Sequence, residues 1–329
     1  MAFIKDIAGI MNLPVSLVDQ VLSGKTDVDE DTRRLIYEAA LKQPYVEKLR
    51  SSSDAVKICV IVDDVEFETI ETFGYDILVG FRLAAMRNHW DLDILSVPLN
   101  EKIDYVYDEF LKQRGYAGAF LLGFFLHGDF HSQLRRTQFP TVLLDVPIFN
   151  PNVACVSIDN FQGITAVVEH LADLEHSTIA MLNGDYTSRS AQERFQGFRM
   201  GLSKCNLPMR KELVAFGNYT SDCAAPHVRY FVENGATAIV CGSDRIAVGV
   251  LEELRRLNIS IPKEVSVTGF DDMPFSKQLK PKLTTVRQNR LNLGRSACVA
   301  LTQLLEGVAV SRIQLTPELI VRESTGPVR

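Results

Sequence analysis

With 329 residues, a hydrophobic fraction of 46% and charged residues at 23%, the chain is too long for one ordinary core and has the composition of a soluble protein of two or three domains, which excludes disorder. No apolar stretch reaches the roughly eighteen residues that span a bilayer, and the N-terminus lacks the basic start and apolar core of a secretory signal, so a cytoplasmic protein without membrane contact is expected. The formal net charge of −6 provides no global attraction to nucleic acid, so any DNA binding has to come from a local surface.

The chain opens on helical rather than strand patterns. Residues 3–11, 16–23 and 31–41 read as three short helices. Asn12, Leu13 and Pro14 make a turn between the first two, Gly24 ends the second, and Asp29 or Asp31 caps the third with Glu30 favourably placed against its dipole. A compact head of this size, residues 1–46, either reads DNA or docks a protein. Residues 47–56, with Ser51, Ser52 and Ser53, have the composition of a linker.

From Lys57 onward, short β-branched runs alternate with longer amphipathic ones, the pattern of βαβ units that build parallel sheets. Strands are expected over 58–62, 92–97, 119–122, 141–144, 178–182, 236–241 and 265–268, with helices over 75–89, 160–174, 190–205 and 244–257 between them. More than one sheet is implied. Residues 147–152 carry two prolines and two asparagines and continue neither pattern, so two doubly wound lobes are expected, one on each side of that break. A ligand then belongs in the cleft between them, at the carboxyl ends of the strands.

Little else in the chain carries chemistry. The six cysteines (Cys59, Cys155, Cys205, Cys223, Cys241 and Cys298) are scattered, with no CxxC pair, and are expected as free structural thiols. His127 and His131 are four residues apart, but no glutamate completes a protease-like metal motif. There is no Walker A loop, no GxGxxG fingerprint after a strand and no GxSxG nucleophile elbow, so no cofactor, no metal and no enzymatic activity are expected.

The C-terminal half carries the most specific text. Residues 265–272 (Val-Ser-Val-Thr-Gly-Phe-Asp-Asp), 281–288 (Pro-Lys-Leu-Thr-Thr-Val-Arg-Gln), Leu293-Gly294 and 321–325 (Val-Arg-Glu-Ser-Thr) follow one another in order. Upstream stand 157–160 (Ser-Ile-Asp-Asn), His170-Leu171 and 194–198 (Arg-Phe-Gln-Gly-Phe). The head adds 4–8 (Ile-Lys-Asp-Ile-Ala), 21–24 (Val-Leu-Ser-Gly) and Thr32-Arg33. In these motifs the chain resembles the lactose/galactose-repressor family over nearly its whole length. The resemblance implies an α/β fold with an N-terminal three-helix helix-turn-helix head and two doubly wound parallel-sheet lobes, a periplasmic-binding-protein-like core over 57–329. The lobes would comprise about 57–158 with 290–312, and 159–289 with 313–329. It also implies a homodimer, double-stranded operator DNA as partner, and control by a small polar effector such as a sugar.

A polar ligand loses water on entering a cleft and needs directional partners there. Arg194 follows the turn Thr187-Ser188-Arg189-Ser190 and can donate to two adjacent oxygens; it matches the family's effector-binding arginine. Asp271 ends an apolar strand and can accept from two hydroxyls, with helix capping before Met273-Pro274 as the structural alternative. Asp272 is expected to serve the turn or an inter-lobe contact. Asp145 also follows an apolar run and is expected to face the cleft from the other lobe. Tyr219 falls where the family places a stacking aromatic, although a packing tyrosine fits the position nearly as well. Ser190 lies beside Arg194, and Ser243 stands where family members often have asparagine, so both join the candidate effector set.

The head departs from its family pattern. Residues 1–50 hold seven Lys/Arg against eight Asp/Glu, so the head is not basic. Where the family shows Thr-Val-Ser-Arg, this chain has Leu17, Val18, Asp19 and Gln20; Gln20 can still pair with adenine, whereas Asp19 repels phosphates. Lys5, Ser16, Leu17, Gln20 and Lys25 are the candidate DNA contacts, and Leu49 is a candidate minor-groove wedge in a hinge shorter than the family's. The alternative function is a non-DNA-binding small-molecule sensor that signals through protein partners.

Overall fold

The computed structural model describes residues 2–23, 28–42, 55–63, 67–69, 72–96, 106–123 and 129–328. Two compact units emerge, one from Met1–Ser157 with Asn289–Gln314 and the other from Ile158–Gln288 with Leu315–Arg329.

The first unit begins with α1 (Ala2–Met11), α2 (Val15–Leu22) and α3 (Glu30–Lys42). Val18, Val21 and Leu22 recur at helical spacing and are buried with Ile7 and Ile36, which gives the head its own small core. Asn12 takes the left-handed conformation at φ 52°, and Leu13 donates its N–H to the Ala8 carbonyl at 2.9 Å, closing the turn before Pro14 starts α2. The Asp29 side chain accepts from the Thr32 N–H at 2.8 Å, so Asp29 is the residue that caps α3.

Next come β1 (Lys57–Val62), α4 (Phe73–Arg87), β2 (Asp91–Ser96), α5 (Tyr107–Arg114), β3 (Gly118–Leu122), α6 (Asp129–Leu134), β4 (Thr141–Leu144) and β5 (Val153–Ile158). β1 pairs in parallel with β2 and β3, and β4 in parallel with β3 and β5. The proline–asparagine stretch 147–152 is therefore a loop within one sheet, not the division between lobes: β5 returns beside β4, and the chain leaves this unit only after Ser157.

The second unit contains α7 (Asn160–Asp173), β6 (Ile179–Asn183), α8 (Arg189–Lys204), β7 (Val214–Phe216), α9 (Ala225–Glu233), β8 (Ala238–Cys241), α10 (Asp244–Arg256), β9 (Ser266–Asp271) and β10 (Thr284–Arg287). The chain then returns to the first unit for α11 (Arg290–Leu305) and β11 (Arg312–Leu315), and β12 (Glu318–Ile320) closes the second sheet. The sheet orders are β11-β5-β4-β3-β1-β2 and β12-β10-β9-β8-β6-β7. In the second sheet the neighbouring strands from β7 to β10 pair in parallel, and β12 pairs antiparallel with β10. Central strands such as β3 and β8 are buried along their whole length, as expected when helices cover both faces of a sheet.

Helices α4 and α11 approach so closely that a Cβ on Gly80 would strike the Leu291 carbonyl and one on Gly294 the Ile77 carbonyl. A buried ion pair accompanies the contact, Arg290 to Asp76 at 3.2 Å. All six cysteines are free thiols, and burial pushes those of Cys59 and Cys298 up to about 12.

Candidate functional site

In the second sheet β7 lies on one side of β6 and β8 on the other, so the connections leaving β6 and β8 diverge. Such a switch point opens a crevice at the carboxyl ends of the strands, where open parallel sheets bind ligands. The residues found there are Asn183 at the end of β6 and Gly184 after it, Gly242 and Ser243 after β8, and Asp271 at the end of β9.

Arg194, on α8, is only 4% exposed. Its Nε donates to Asn160 Oδ1 at 2.8 Å, one terminal nitrogen donates to the Gly242 carbonyl, and the other lies 3.9 Å from Asp271 Oδ1. The guanidinium carbon stands 3.8 Å from the centroid of the Phe270 ring, a cation–π contact that fixes its plane. Asp271 is gripped from another side by Gln288, whose Nε2 donates to Oδ1 at 2.7 Å. The backbone reverses here with φ of 121° at Asp271 and 52° at Asp272, two successive residues in the region that favours glycine.

Asp244 underlies this reversal. Its carboxyl accepts from the Met273 N–H at 2.7 Å, the Ser276 hydroxyl at 2.6 Å and the Thr285 hydroxyl at 2.5 Å. Complete burial and the charge of Asp271 outweigh these donors and push its pKa up to about 7. Asp272 turns away from the crevice to meet Arg287 at 2.8 Å and Arg322 at 2.5 Å. Burial acts to raise the Asp272 pKa, but the two guanidiniums together hold it below the ordinary carboxylate value. Asp272 thus ties the end of β9 to β10 and to the segment that follows β12.

Tyr219, in the left-handed conformation at φ 63°, lays its ring against Gly184, where a Cβ would occupy the ring's place. Its hydroxyl lies 3.1 Å from Ser188 Oγ. Ser190 is half-buried in the first turn of α8. The Ser243 hydroxyl oxygen accepts from the Ile246 N–H at 3.2 Å and caps α10, which leaves its hydrogen to donate elsewhere. Asp145 belongs to the first unit, where β2 and β3 flank β1 and create a second switch point. It follows β4 with φ 61°, and its N–H donates to the Val156 carbonyl at 2.9 Å.

Arg194 and Asp271 therefore share one cluster with Asn160, Gln288, Phe270, Gly242 and, beneath them, Asp244, none of which sequence reasoning assigned to the site. Asn160 and Gln288 stand inside the quoted motifs, so the motifs carried a signal, but nothing in their spacing reveals that both grip the same pair. On the head, Lys5, Ser16 and Gln20 are exposed and Leu17 is half-buried. Lys25 and Leu49 lie outside the described residues. Among the described residues no helix is long and apolar enough to cross a membrane, and no His/Cys/Asp/Glu group could hold a metal ion.

Residues 168–325 match the model of a periplasmic binding protein-like domain. Over 98% of the chain it is 25% identical to the HTH-type transcriptional repressor PurR of Actinobacillus pleuropneumoniae serotype 3, of which 98% is covered. It is likewise 25% identical, over 98% of the chain and 96% of the relative, to the HTH-type transcriptional repressor CytR of Escherichia coli K12. Over nearly its whole length the chain is thus similar to transcription regulators of the lactose/galactose-repressor family. Among solved structures, a regulatory protein of the LacI family from Chloroflexus aggregans superimposes with a TM-score of 0.72 at 25% identity, over 82% of this chain and 98% of that one. The similarity extends over both parts of the molecule, the three short helices at its start and the core that carries the crevice at the strand ends.

Proposed function

We propose that the protein is a sequence-specific DNA-binding repressor, a cytoplasmic homodimer whose operator affinity is set by a small polar effector such as a sugar. The observation that carries this reading is the Arg194–Asp271 pair, buried and oriented at a switch point, in the same chain as a helix-turn-helix. Arg194, Asp271, Tyr219, Ser190 and Ser243 supply the effector contacts of the second unit, with Ser188 beside them, and Asp145 supplies those of the first. An arginine and a carboxylate held side by side offer a donor fork and an acceptor, the pairing that two adjacent hydroxyls need. On the DNA side, Lys5 and Lys25 meet phosphates, Ser16, Leu17 and Gln20 meet base edges, and Leu49 enters the minor groove. The head is residues 1–46, joined through 47–56 to the core.

Selection from a random duplex pool, at low and physiological salt, with and without a panel of sugars, sugar phosphates and nucleosides, tests the proposal. Enrichment of a palindromic site whose affinity changes with one compound of the panel is expected. The absence of enrichment even at low salt would reject DNA binding. One observation favours the second reading, a sensor that docks a protein through its head: the seven basic residues of 1–50 are outnumbered by eight acidic ones. Under that reading the effector still binds and no duplex is enriched.

A further inference from the structure

The Arg194–Asp271 pair sits over two strands of the second sheet. Arg194 reaches the Gly242 carbonyl just after β8, and Asp271 stands at the end of β9. In the order β9-β8-β6-β7, the next strand ends are those of β6 and β7. There the side chains are aromatic: the Tyr219 ring lies on Gly184, directly after β6, and Phe216 ends β7.

Between β6 and α8 the chain makes a short loop with Tyr186 at its tip. Both ends of the loop touch Tyr219, since Gly184 lies beneath its ring and Ser188 Oγ is 3.1 Å from its hydroxyl. The tip is fixed: Asp185 Oδ1 accepts from the Thr187 N–H at 2.7 Å and from the Thr187 hydroxyl at 2.6 Å, and the Tyr186 carbonyl accepts from Gln192 Nε2 at 3.2 Å. The Tyr186 ring makes a T-shaped contact with Phe216, centroids 5.0 Å apart at 87°, and Phe216 in turn meets Phe195 of α8 at 5.6 Å. Yet Tyr186 is 64% exposed. A ring held on one side and open on the other has already lost much of its freedom, so a molecule lying on it gains contact area at little further cost in entropy. Its neighbours Thr187 and Arg189 are exposed and polar, so the ring stands singly and not in an apolar patch of the size a protein partner covers.

We propose that Tyr186, seated on Phe216, is a second subsite of the crevice, taking the flat apolar face of a ring linked to the polyhydroxylated ring that Arg194 and Asp271 hold. The effector is then a two-ring compound, a disaccharide or a nucleoside, and not a single sugar. Neighbouring strands lie about 4.8 Å apart, which puts the β6–β7 ends roughly 10 Å from the β8–β9 ends, farther than one sugar ring reaches and within the span of two linked rings. This inference rests on the effector reading above and names the class of compound it implies.

Titration calorimetry of the full chain with matched probes tests it, methyl glucoside against cellobiose and maltose, and ribose against adenosine and uridine. In the wild type at least one two-ring probe should bind at least tenfold more tightly than its one-ring part, and the two sets separate a second sugar from a nucleobase as the source of the second ring. Tyr186→Ala should bring that ratio to within twofold of one, whereas Tyr186→Phe should keep it, because stacking needs the ring and not the hydroxyl. A general loss of fold would lower both affinities alike and leave the ratio standing, so the ratio reports on the subsite. One-ring probes that bind as tightly as their two-ring partners would overturn the proposal, as would a ratio that survives in Tyr186→Ala. Arg194→Ala keeps the two readings apart. Loss of every probe in Arg194→Ala, with the ratio unmoved by Tyr186→Ala, rejects the second subsite alone; probes that bind Arg194→Ala as they bind the wild type reject the effector site itself. Failure of every probe to bind the wild type would overturn both.

Discussion

Two nitrogens of Arg194 are already committed in the protein, Nε to Asn160 and one terminal nitrogen to the Gly242 carbonyl, and the remaining one, 3.9 Å from Asp271, is the one a ligand oxygen can share. Truncating such a residue leaves Asn160 Oδ1, the Gly242 carbonyl and Asp271 to be satisfied again, and losses of that kind cost on the order of 2–5 kcal/mol. Arg194→Ala and Asp271→Ala should each weaken effector binding at least tenfold by titration calorimetry. Arg194→Lys should not rescue it, because a single ammonium cannot reproduce the fork. Asp244 makes a pH-dependent contribution of defined sign. Its folded pKa, about 7, lies above the ordinary aspartate value of 3.8, so the folded state holds an extra proton between those values and this group's stabilisation is full at low pH and lost as pH rises toward 7. One proton sets a ceiling of about 1.4 kcal/mol per pH unit on that slope. Urea denaturation from pH 5 to pH 8 should therefore show a negative slope that Asp244→Asn flattens; identical slopes would show that Asp244 stays ionised.

At the scale of elements, the crossing of α4 and α11 depends on two missing side chains. A Cβ at Gly294 would meet backbone, the Ile77 carbonyl and the Phe81 nitrogen, so neither partner can rotate out of the way. Overpacking of this kind costs about 1–3 kcal/mol or more, and the roughly 1 kcal/mol that alanine gains over glycine in a helix offsets only part of it. Gly294→Ala should lower the denaturation midpoint of the full chain, whereas Gly9→Ala, with open space around its position, should not. Leu293-Gly294 was legible in the sequence as a family motif, yet its reason, a helix crossing, lies in residues over two hundred positions away. The same division runs through the fold. Strands with continuous apolar runs, such as β1, β3 and β8, announce themselves, and so do the longer helices α4, α7, α8 and α10. β5 was not recognised, because the prolines before it suggested a boundary. β10, β11 and β12 were missed because short strands rich in Thr, Arg, Gln and Glu carry no apolar run. Arg194 and Asp271 stood out through chemistry next to a turn or a strand end, while Asn160 and Gln288 became visible only when folding brought them to the same two side chains.

For the whole molecule, a net charge of −6 and a head with no excess of basic residues limit the way DNA can be held. Of the head's cations, Arg34 lies 3.6 Å from Asp31 and 3.9 Å from Glu38, so part of its charge is spent locally. Under the proposed function, Lys5 and Lys25 of a dimer would give about four phosphate contacts, and each neutralised phosphate contributes roughly 0.9 to the slope of log affinity against log salt. The expected slope is near −4, which corresponds to a loss on the order of a hundredfold in affinity between 50 and 200 mM salt, whereas eight contacts would lose about ten-thousandfold. Asp19 lowers the gain further, since it stands on the exposed face of α2 beside Gln20. Asp19→Asn should therefore tighten binding to random and selected duplexes alike, without changing the preferred sequence, while Gln20→Ala should relax the preference at one position and leave the slope unchanged. Both variants can be measured by fluorescence anisotropy on the selected duplex across that salt range. A wild-type slope steeper than about −6 would mean that cations beyond Lys5 and Lys25 engage the phosphates. An Asp19→Asn variant that binds no more tightly would show that its charge is already neutralised in the complex.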